Sequence, residues 1–453
     1  MNLKNKRLFG TDGIRGKANS FPVTPNIILR VGQALACLLK KKYPQEKQHN
    51  VLIGKDTRLS GYMLEQALAS GLNSMGVFVQ LTGPLPTPGI GFLAQNMRVS
   101  AGVVISASHN PYYDNGIKIF FKDGFKISGQ EEQEIEKMVF SEKNLSHVQE
   151  LGRTRRIVDA IGRYIVFAKS VFPKQYNLKG LKIVLDCANG AAYKVAPAIF
   201  SELGAEMILL GNKPTGFNIN EKSGALYPKK IAQKVLQEKA HLGLSLDGDA
   251  DRLIMSDEKG RILNGDHILG ICSLYLNTQN KLNNKQVVST HISNTGLEKS
   301  LAPYGISFLK TNIGDKNVVE KMKQNKITLG GEPSGHIIFL NYNTTGDACI
   351  AALNVLAFMK KTGKKLSALR DLIKEYPQIC LNVKIKKKRS LDLIPGYKDL
   401  LKSVKKDLSK QDRFLIRYSG TEKFVRIFFE GKKKKQIQAQ AKKIQSFLEK
   451  HLS

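Results

Sequence analysis

Apolar positions along the chain gather in short runs, each opening into a polar loop and then into a stretch with helical spacing. Val51-Leu-Ile53 leads into Gly54-Lys-Asp-Thr-Arg58, and the spacing then predicts a helix over 62–75 and a strand over 77–81. The same order returns at 182–190, with a helix over 192–203 and a strand over 206–210. It returns again at 286–294, followed by a helix over 296–303 and a strand over 306–309. Three such strand-loop-helix-strand units, roughly 100 to 130 residues apart, predict three related mixed α/β domains rather than one large sheet. Each polar loop follows the carboxyl end of a strand, where open α/β sheets place ligands. An earlier amphipathic stretch, 27–39, ends in Lys40-Lys41-Lys42, which suits the negative end of a helix. Beyond Pro377 the pattern changes to alternation over 383–386 and 424–429 around two helical stretches, predicting a smaller α+β domain.

Polar 143–154 separates the first unit from a helix beginning near 157, and Asp257-Glu-Lys-Gly260 reads as a hairpin-like turn leading out of the second. The expected domains are therefore 1–150, 151–257, 258–375 and 376–453.

Composition changes this picture little. The chain has 453 residues, 42% of them hydrophobic, enough for several cores. Five cysteines, widely spaced and never as Cys-x-x-Cys, argue for reduced thiols and against a disulfide framework or zinc site. The first residues are polar and basic, unlike a signal peptide. The longest apolar run, 348–359, carries Asn354 and is too short to span a bilayer. A cytoplasmic protein without a membrane partner is the expectation. The net charge of +33 invites a nucleic-acid reading. Its distribution opposes that reading: residues 377–453 carry 21 Lys and Arg against 7 Asp and Glu, while the remainder is spread thinly and nowhere interleaved with aromatics. A solvated basic surface that also attracts anionic sugar phosphates fits better than specific nucleic-acid binding.

Candidate chemistry lies in five loops. In Gly102-Val-Val-Ile-Ser-Ala-Ser108-His-Asn-Pro, an apolar strand breaks off to deliver Ser108, and Gly116 permits a turn that returns Lys118 toward it. A nucleophilic hydroxyl beside a cation suits phosphoryl transfer. Leu8-Phe-Gly-Thr-Asp-Gly-Ile-Arg15-Gly16 can lay N–H groups and the Arg15 guanidinium along an anion. Asp247-Gly-Asp249-Ala-Asp251-Arg252 sets three carboxylates at alternate positions, where they repel one another unless a cation sits among them. Mg²⁺ with an open position for a phosphate oxygen fits, whereas the further ligands of an EF-hand calcium loop are missing. Gly331-Glu332-Pro-Ser334-Gly-His336 offers groups for sugar hydroxyls or an amine, with His336 able to move protons. Arg417-Tyr-Ser419-Gly420-Thr421-Glu422, with Arg426 on the next strand, suits a non-reacting phosphate.

Ala-Ser-His-Asn-Pro (107–111), Asp-Gly-Asp-x-Asp-Arg (247–252), Gly-Glu-x-Ser-Gly-His (331–336) and Arg-x-Ser-Gly-Thr-Glu (417–422), in this order, resemble the α-D-phosphohexomutase superfamily across essentially the whole chain. Within it, Phe9 to Gly16, Tyr113 to Lys118 and Asp186 to Ala191 look most like the bacterial branch that interconverts glucosamine 6-phosphate and glucosamine 1-phosphate, feeding UDP-N-acetylglucosamine and cell-wall synthesis. The resemblance implies three similar α/β domains and a fourth, smaller domain around a central active-site cleft. It implies that Ser108 is carried as a phosphoserine, that Asp247, Asp249 and Asp251 hold one Mg²⁺ together with it, and that Lys118, His336 and Arg15 belong to the catalytic set. Arg252, Glu332, Ser334, Arg417, Ser419, Gly420, Thr421 and Arg426 would bind substrate, a small-molecule hexosamine phosphate. Glucosamine 1,6-bisphosphate or a similar bisphosphate would be intermediate and activator, and a homodimer is left open. A phosphomannomutase or phosphoglucomutase of the same superfamily is the neighbouring alternative. Pro333 departs from the Gln or Met common in the sugar-choosing loop, Ala250 from Gly, and Lys423 from Pro.

Overall fold

The structure is a computed structural model and describes residues 7–10, 12–141, 149–386, 389–409, 411–418 and 424–452. The chain forms two compact units, one comprising Met1–Ser293 with Ser300–Ile373, the other Asn294–Lys299 with Lys374–Ser453.

The first unit contains three sheets. In the seven-stranded sheet the order is Phe9–Gly10, Gly13–Lys17, Asp114–Phe121, Ala101–Ile105, Asn50–Lys55, Phe78–Pro84, Thr154–Arg156. Val51, Ile53, Val79, Val103 and Ile105 face one way and bury against Leu35, Leu39, Leu64, Leu68 and Leu72. Those leucines belong to helices Pro25–Lys42 and Ser60–Asn73. The two helices approach closely because neither can carry a side chain at the crossing. A Cβ on Gly71 would stand 2.1 Å from the Leu29 carbonyl oxygen, and one on Gly32 2.6 Å from that of Leu68. Thr24 caps the first helix by accepting from the Ile27 N–H, Pro25 opens it, and Lys40, Lys41 and Lys42 close it, as the sequence predicts.

Two expected boundaries shift. Thr154–Arg156 is a strand parallel to Phe78–Pro84, so the first sheet reaches past residue 150, and the following helix is Ala160–Ser170. All three strand residues are exposed, so no apolar pattern announces them. The turn at Asp257 to Gly260 is a hairpin inside the second sheet, not its exit, because Ile262–Leu263 pairs antiparallel with Leu253–Asp257. That sheet runs Ile262–Leu263, Leu253–Asp257, Leu242–Leu246, Lys182–Asp186, Glu206–Leu210. The third runs Ser307–Thr311, Gln286–Thr290, Leu329–Gly331, Ile337–Phe339. The apolar run near 350 is helix Ala348–Thr362, buried around its whole circumference over its first twelve residues. Among the described residues no helix is long and apolar enough to cross a membrane.

The second unit has an antiparallel sheet, Gln378–Lys384, Phe424–Glu430, Arg413–Tyr418, with helices Tyr397–Asp407 and Lys434–Leu452. Its own core joins Val383, Val404, Phe429, Ile444 and Leu448. Buried Glu430 accepts two hydrogen bonds from the Arg413 guanidinium, at 2.8 and 2.9 Å, and one from the Thr295 hydroxyl. All five cysteines are free thiols, three of them buried.

Candidate active site

The strand Ala101–Ile105 ends in a tight turn that puts Ser108 at φ +51°, a left-handed conformation uncommon for a residue with a side chain. The turn is held from several sides. Ser106 Oγ accepts from the Ser108 N–H at 2.9 Å, and the Ser108 carbonyl oxygen accepts from the buried Arg58 guanidinium at 3.1 Å and from Asn220 Nδ2 at 2.8 Å. Arg58 is itself paired with buried Asp56. Gly248 makes room for this packing, since a Cβ there would sit 2.5 Å from the Ser108 oxygen. The hydroxyl, itself buried, donates to Asp247 Oδ2 at 2.7 Å and lies 3.2 Å from His109 Nδ1.

Leu242–Leu246 delivers the three carboxylates, with Ala250 at φ +56° turning the loop so that Asp247, Asp249 and Asp251 converge. One oxygen from each lies within 4.8 Å of the others, and all three residues are buried. Burial and the neighbouring charges of Asp251 and Asp249 push the Asp247 carboxyl well above the usual range. Asp249 and Asp251 are held below it, against the opposing effect of burial, chiefly by the Lys118 ammonium. Asp249 Oδ1 and Asp251 Oδ1 are buried with no hydrogen-bond partner. Three hard oxygen ligands, two of them orphaned, fit a divalent cation.

Lys118 reaches this group from strand Asp114–Phe121, where it pairs in register with Val104 two residues before the serine turn begins. Its Nζ is 2.8 Å from Asp249 Oδ2, 3.3 Å from Asp251 Oδ2 and 3.4 Å from Asp12 Oδ2. Desolvation works against its charge, but Asp12, Asp249 and Asp251 outweigh it and raise its pKa well above the ordinary lysine value. Arg15 pairs with Asp12 and donates to the Ala107 carbonyl oxygen at 3.3 Å. Arg252 donates its backbone N–H to Asp247 Oδ1 at 3.1 Å, and Arg252 forms an isolated bridge to His336. His336 Nδ1 is 3.6 Å from Asp251 Oδ1, and its Nε2 accepts from the Gly346 N–H at 3.1 Å. Asp251 favours a protonated ring and the Gly346 N–H a neutral one. Burial opposes charge on the ring, but Asp251, Asp315 and Glu332 outweigh it and raise the His336 pKa above the ordinary histidine value. Glu332 accepts from the Gly314 N–H at 2.9 Å, and the Ser334 hydroxyl is 3.5 Å from its other oxygen.

The sequence-derived residues Ser108, Lys118, Arg15, Asp247, Asp249, Asp251, Arg252 and His336 thus form one contiguous cluster, with Glu332 and Ser334 on the turn that ends at His336. Arg417 and Arg426 face each other across adjacent strands of the second unit, where burial and the Arg426 charge lower the Arg417 pKa. Ser419, Gly420 and Thr421 lie outside the described residues.

Sequence reasoning missed several members. Thr87 Oγ1 donates to Asp249 Oδ2 at 2.6 Å, and Lys126 bridges Asp12 and Asp315. Asp12 stood in a loop already singled out for anion binding, which was a usable signal. Thr87, Lys126, Asp315 and Asn220 stand in stretches with no motif, and only the fold brings them in.

The chain matches the family models for phosphoglucomutase/phosphomannomutase alpha/beta/alpha domain I over residues 6–146, domain II over 162–260, domain III over 264–376, and the C-terminal domain over 381–446. It is 56% identical to the phosphoglucosamine mutase of Bdellovibrio bacteriovorus, over 99% of this chain and all of that protein. With the phosphoglucosamine mutase of Chlamydia caviae it shares 49% identity over 100% of this chain and 99% of the other. Among solved structures, a phosphoglucomutase/phosphomannomutase family protein from Burkholderia thailandensis superposes with a TM-score of 0.80 at 22% identity, covering 98% of this chain and 97% of that one. Aspergillus fumigatus N-acetylphosphoglucosamine mutase, solved in complex with GlcNAc-6P and magnesium, gives 0.70 at 18% identity over 100% and 97%. By its four domain matches and by its identity to full-length relatives, the chain belongs to the phosphoglucomutase/phosphomannomutase family, the phosphohexomutases of the isomerase class.

Proposed function

We propose that the protein interconverts glucosamine 6-phosphate and glucosamine 1-phosphate in the cytoplasm, through a phosphorylated Ser108 and a glucosamine 1,6-bisphosphate intermediate. The observation that carries this reading is the buried Ser108 hydroxyl 2.7 Å from Asp247, inside a carboxylate trio with two unpartnered oxygens and the Lys118 ammonium beside it. Asp247, Asp249 and Asp251 would hold Mg²⁺, which when bound neutralises charge on the phosphoryl oxygens.

The chain's own groups account for the rest. In the first half-reaction the bond from Ser108 Oγ to phosphorus breaks while a sugar hydroxyl oxygen bonds to the same phosphorus, and the hydroxyl proton passes to the departing Ser108 oxygen, restoring the serine hydroxyl that donates to Asp247. Lys118, fixed in its charged form, offers positive charge to the transferring group and can donate a proton but not accept one. His336 stands 3.6 Å from Asp251 and supplies positive charge beside that carboxylate when protonated. After the bisphosphate turns round, the second half-reaction returns the other phosphoryl group to Ser108. Glu332 and Ser334 would select the sugar. Arg417 and Arg426, with Ser419, Gly420 and Thr421, would hold the phosphate that is not reacting.

The test is turnover of glucosamine, glucose and mannose 6-phosphates side by side, with a bisphosphate activator. Glucosamine 6-phosphate should give the highest kcat/KM by at least tenfold. Preference for mannose or glucose 6-phosphate would move the protein to a neighbouring activity and would trace to the Pro333 loop.

A further inference from the structure

At the amino ends of the parallel strands in the seven-stranded sheet, opposite the serine turn, lies a cavity of about 240 Å³. It is separated from Ser108 by the length of strand Asn50–Lys55, roughly 16 Å or more at the usual rise per residue. Asn50, Phe78, Gln80, Arg153 and Arg155 line it, and among the described residues its wall contains no carboxylate.

The strand register explains why these side chains share a face. Asn50 pairs with Phe78, Gln80 with Arg155, and the Val79 N–H donates to the Arg153 carbonyl oxygen at 2.9 Å, so the alternating residues on either side of Val79 point together. The arginine-bearing segment is rigidly placed. Gly152 packs where a Cβ would stand 2.0 Å from the Val77 carbonyl oxygen, and its N–H donates to the Asn73 carbonyl oxygen at 2.8 Å. The Thr154 hydroxyl donates to Asn73 Oδ1 at 2.7 Å.

Three side chains of this wall lack an ionic or hydrogen-bonding partner among the described residues. Among the described residues Arg153 has no carboxylate partner and sits 5.0 Å from the centre of the Phe78 ring, and Arg155 has no ion-pair partner. Gln80 is 7% exposed, yet its Oε1 is buried without a donor. Two guanidiniums two residues apart on one strand face match a phosphoryl anion. An aromatic ring beside a guanidinium plane offers stacking for a flat heterocycle. The orphaned Gln80 Oε1 calls for an N–H or hydroxyl donor. The cavity is smaller than the 300–1,000 Å³ or so usual for drug-sized ligands, which favours a pyrimidine over a purine. We propose that this pocket binds a pyrimidine nucleoside phosphate, ring against Phe78 and Gln80, phosphates at the rim on Arg153 and Arg155.

The probe is uridine 5′-diphosphate, titrated calorimetrically into the full-length protein at low salt, with inorganic pyrophosphate as the ring-free comparison. The proposal expects uridine 5′-diphosphate to bind at least tenfold more tightly than pyrophosphate. Arg153→Ala with Arg155→Ala should weaken it at least tenfold while leaving mutase turnover unchanged, and Gln80→Leu should reduce the preference over pyrophosphate. Absence of binding, equal affinity for pyrophosphate, or affinity that survives the paired arginine substitution would each overturn it. The outcome is independent of which hexose phosphate the active site turns over.

Discussion

Asp249 bears on the chemistry at Ser108 through where its charge is held. Asp249 receives hydrogen bonds from Thr87 and Lys118 on one oxygen and leaves the other bare. Asp249→Asn keeps an acceptor for Thr87 and nearly the same volume, so it should fold normally, with a melting temperature within a few degrees of wild type. Turnover in Mg²⁺ should nonetheless fall by several orders of magnitude, because the cation loses a charged ligand. Near-wild-type turnover would remove Asp249 from the proposed site. The carboxylate trio was legible in the sequence because its members alternate along one loop, so that local spacing alone predicts their crowding. Asp12 and Thr87 were not legible as partners of Lys118 and Asp249, because each arrives from a different strand or helix and only the register joins them.

At the scale of elements, the sequence spoke clearly wherever burial imposed a period. Helix Pro25–Lys42 and strand Ala101–Ile105 are buried on a face or throughout, and their apolar spacing predicts them within a few residues. Strand Thr154–Arg156 escaped because an exposed edge strand has no apolar face to reveal it. Strands Arg413–Tyr418 and Phe424–Glu430 set Arg417 directly opposite Arg426. Burial, and after it the like charge of Arg426, lower the Arg417 pKa, a cost that an anion beside the pair would offset. Arg417→Ala should therefore raise KM and lower kcat together, whereas neutralising Lys432, Lys433, Lys434 and Lys435 should change neither by more than about twofold. Steady-state kinetics of the two variants would decide it, and an essential lysine run with a dispensable Arg417 would sink the phosphate role.

Across the first unit, buried polar residues tie segments far apart in sequence into one body. Asp347 caps helix Ala348–Thr362 and accepts from the Tyr164 hydroxyl at 2.8 Å, and Asn343 Nδ2 joins it to the Pro88 carbonyl oxygen. Burial pushes its carboxyl from 3.8 up to about 6. For an acid whose folded pKa is raised, the stabilising contribution is full below the unfolded value and is lost as pH rises through the folded one. A shift of this size is worth about 3 kcal/mol between pH 4 and pH 6. Calorimetric melting of wild type should fall across that window more steeply than that of Asp347→Asn, and parallel curves would contradict the assignment. None of this junction was legible in the sequence, since Pro88, Tyr164 and Asn343 carry no shared motif. The proposed activity of the whole molecule depends on phosphoryl transfer through Ser108, and the most direct test of that transfer is intact-mass analysis of freshly purified protein with fragmentation mapping. A fraction heavier by one phosphoryl group should map to Ser108, disappear on incubation with a hexosamine phosphate, and be absent from an inactive Ser108→Ala variant. A phosphoryl group mapped to another residue, or full activity in Ser108→Ala, would contradict it.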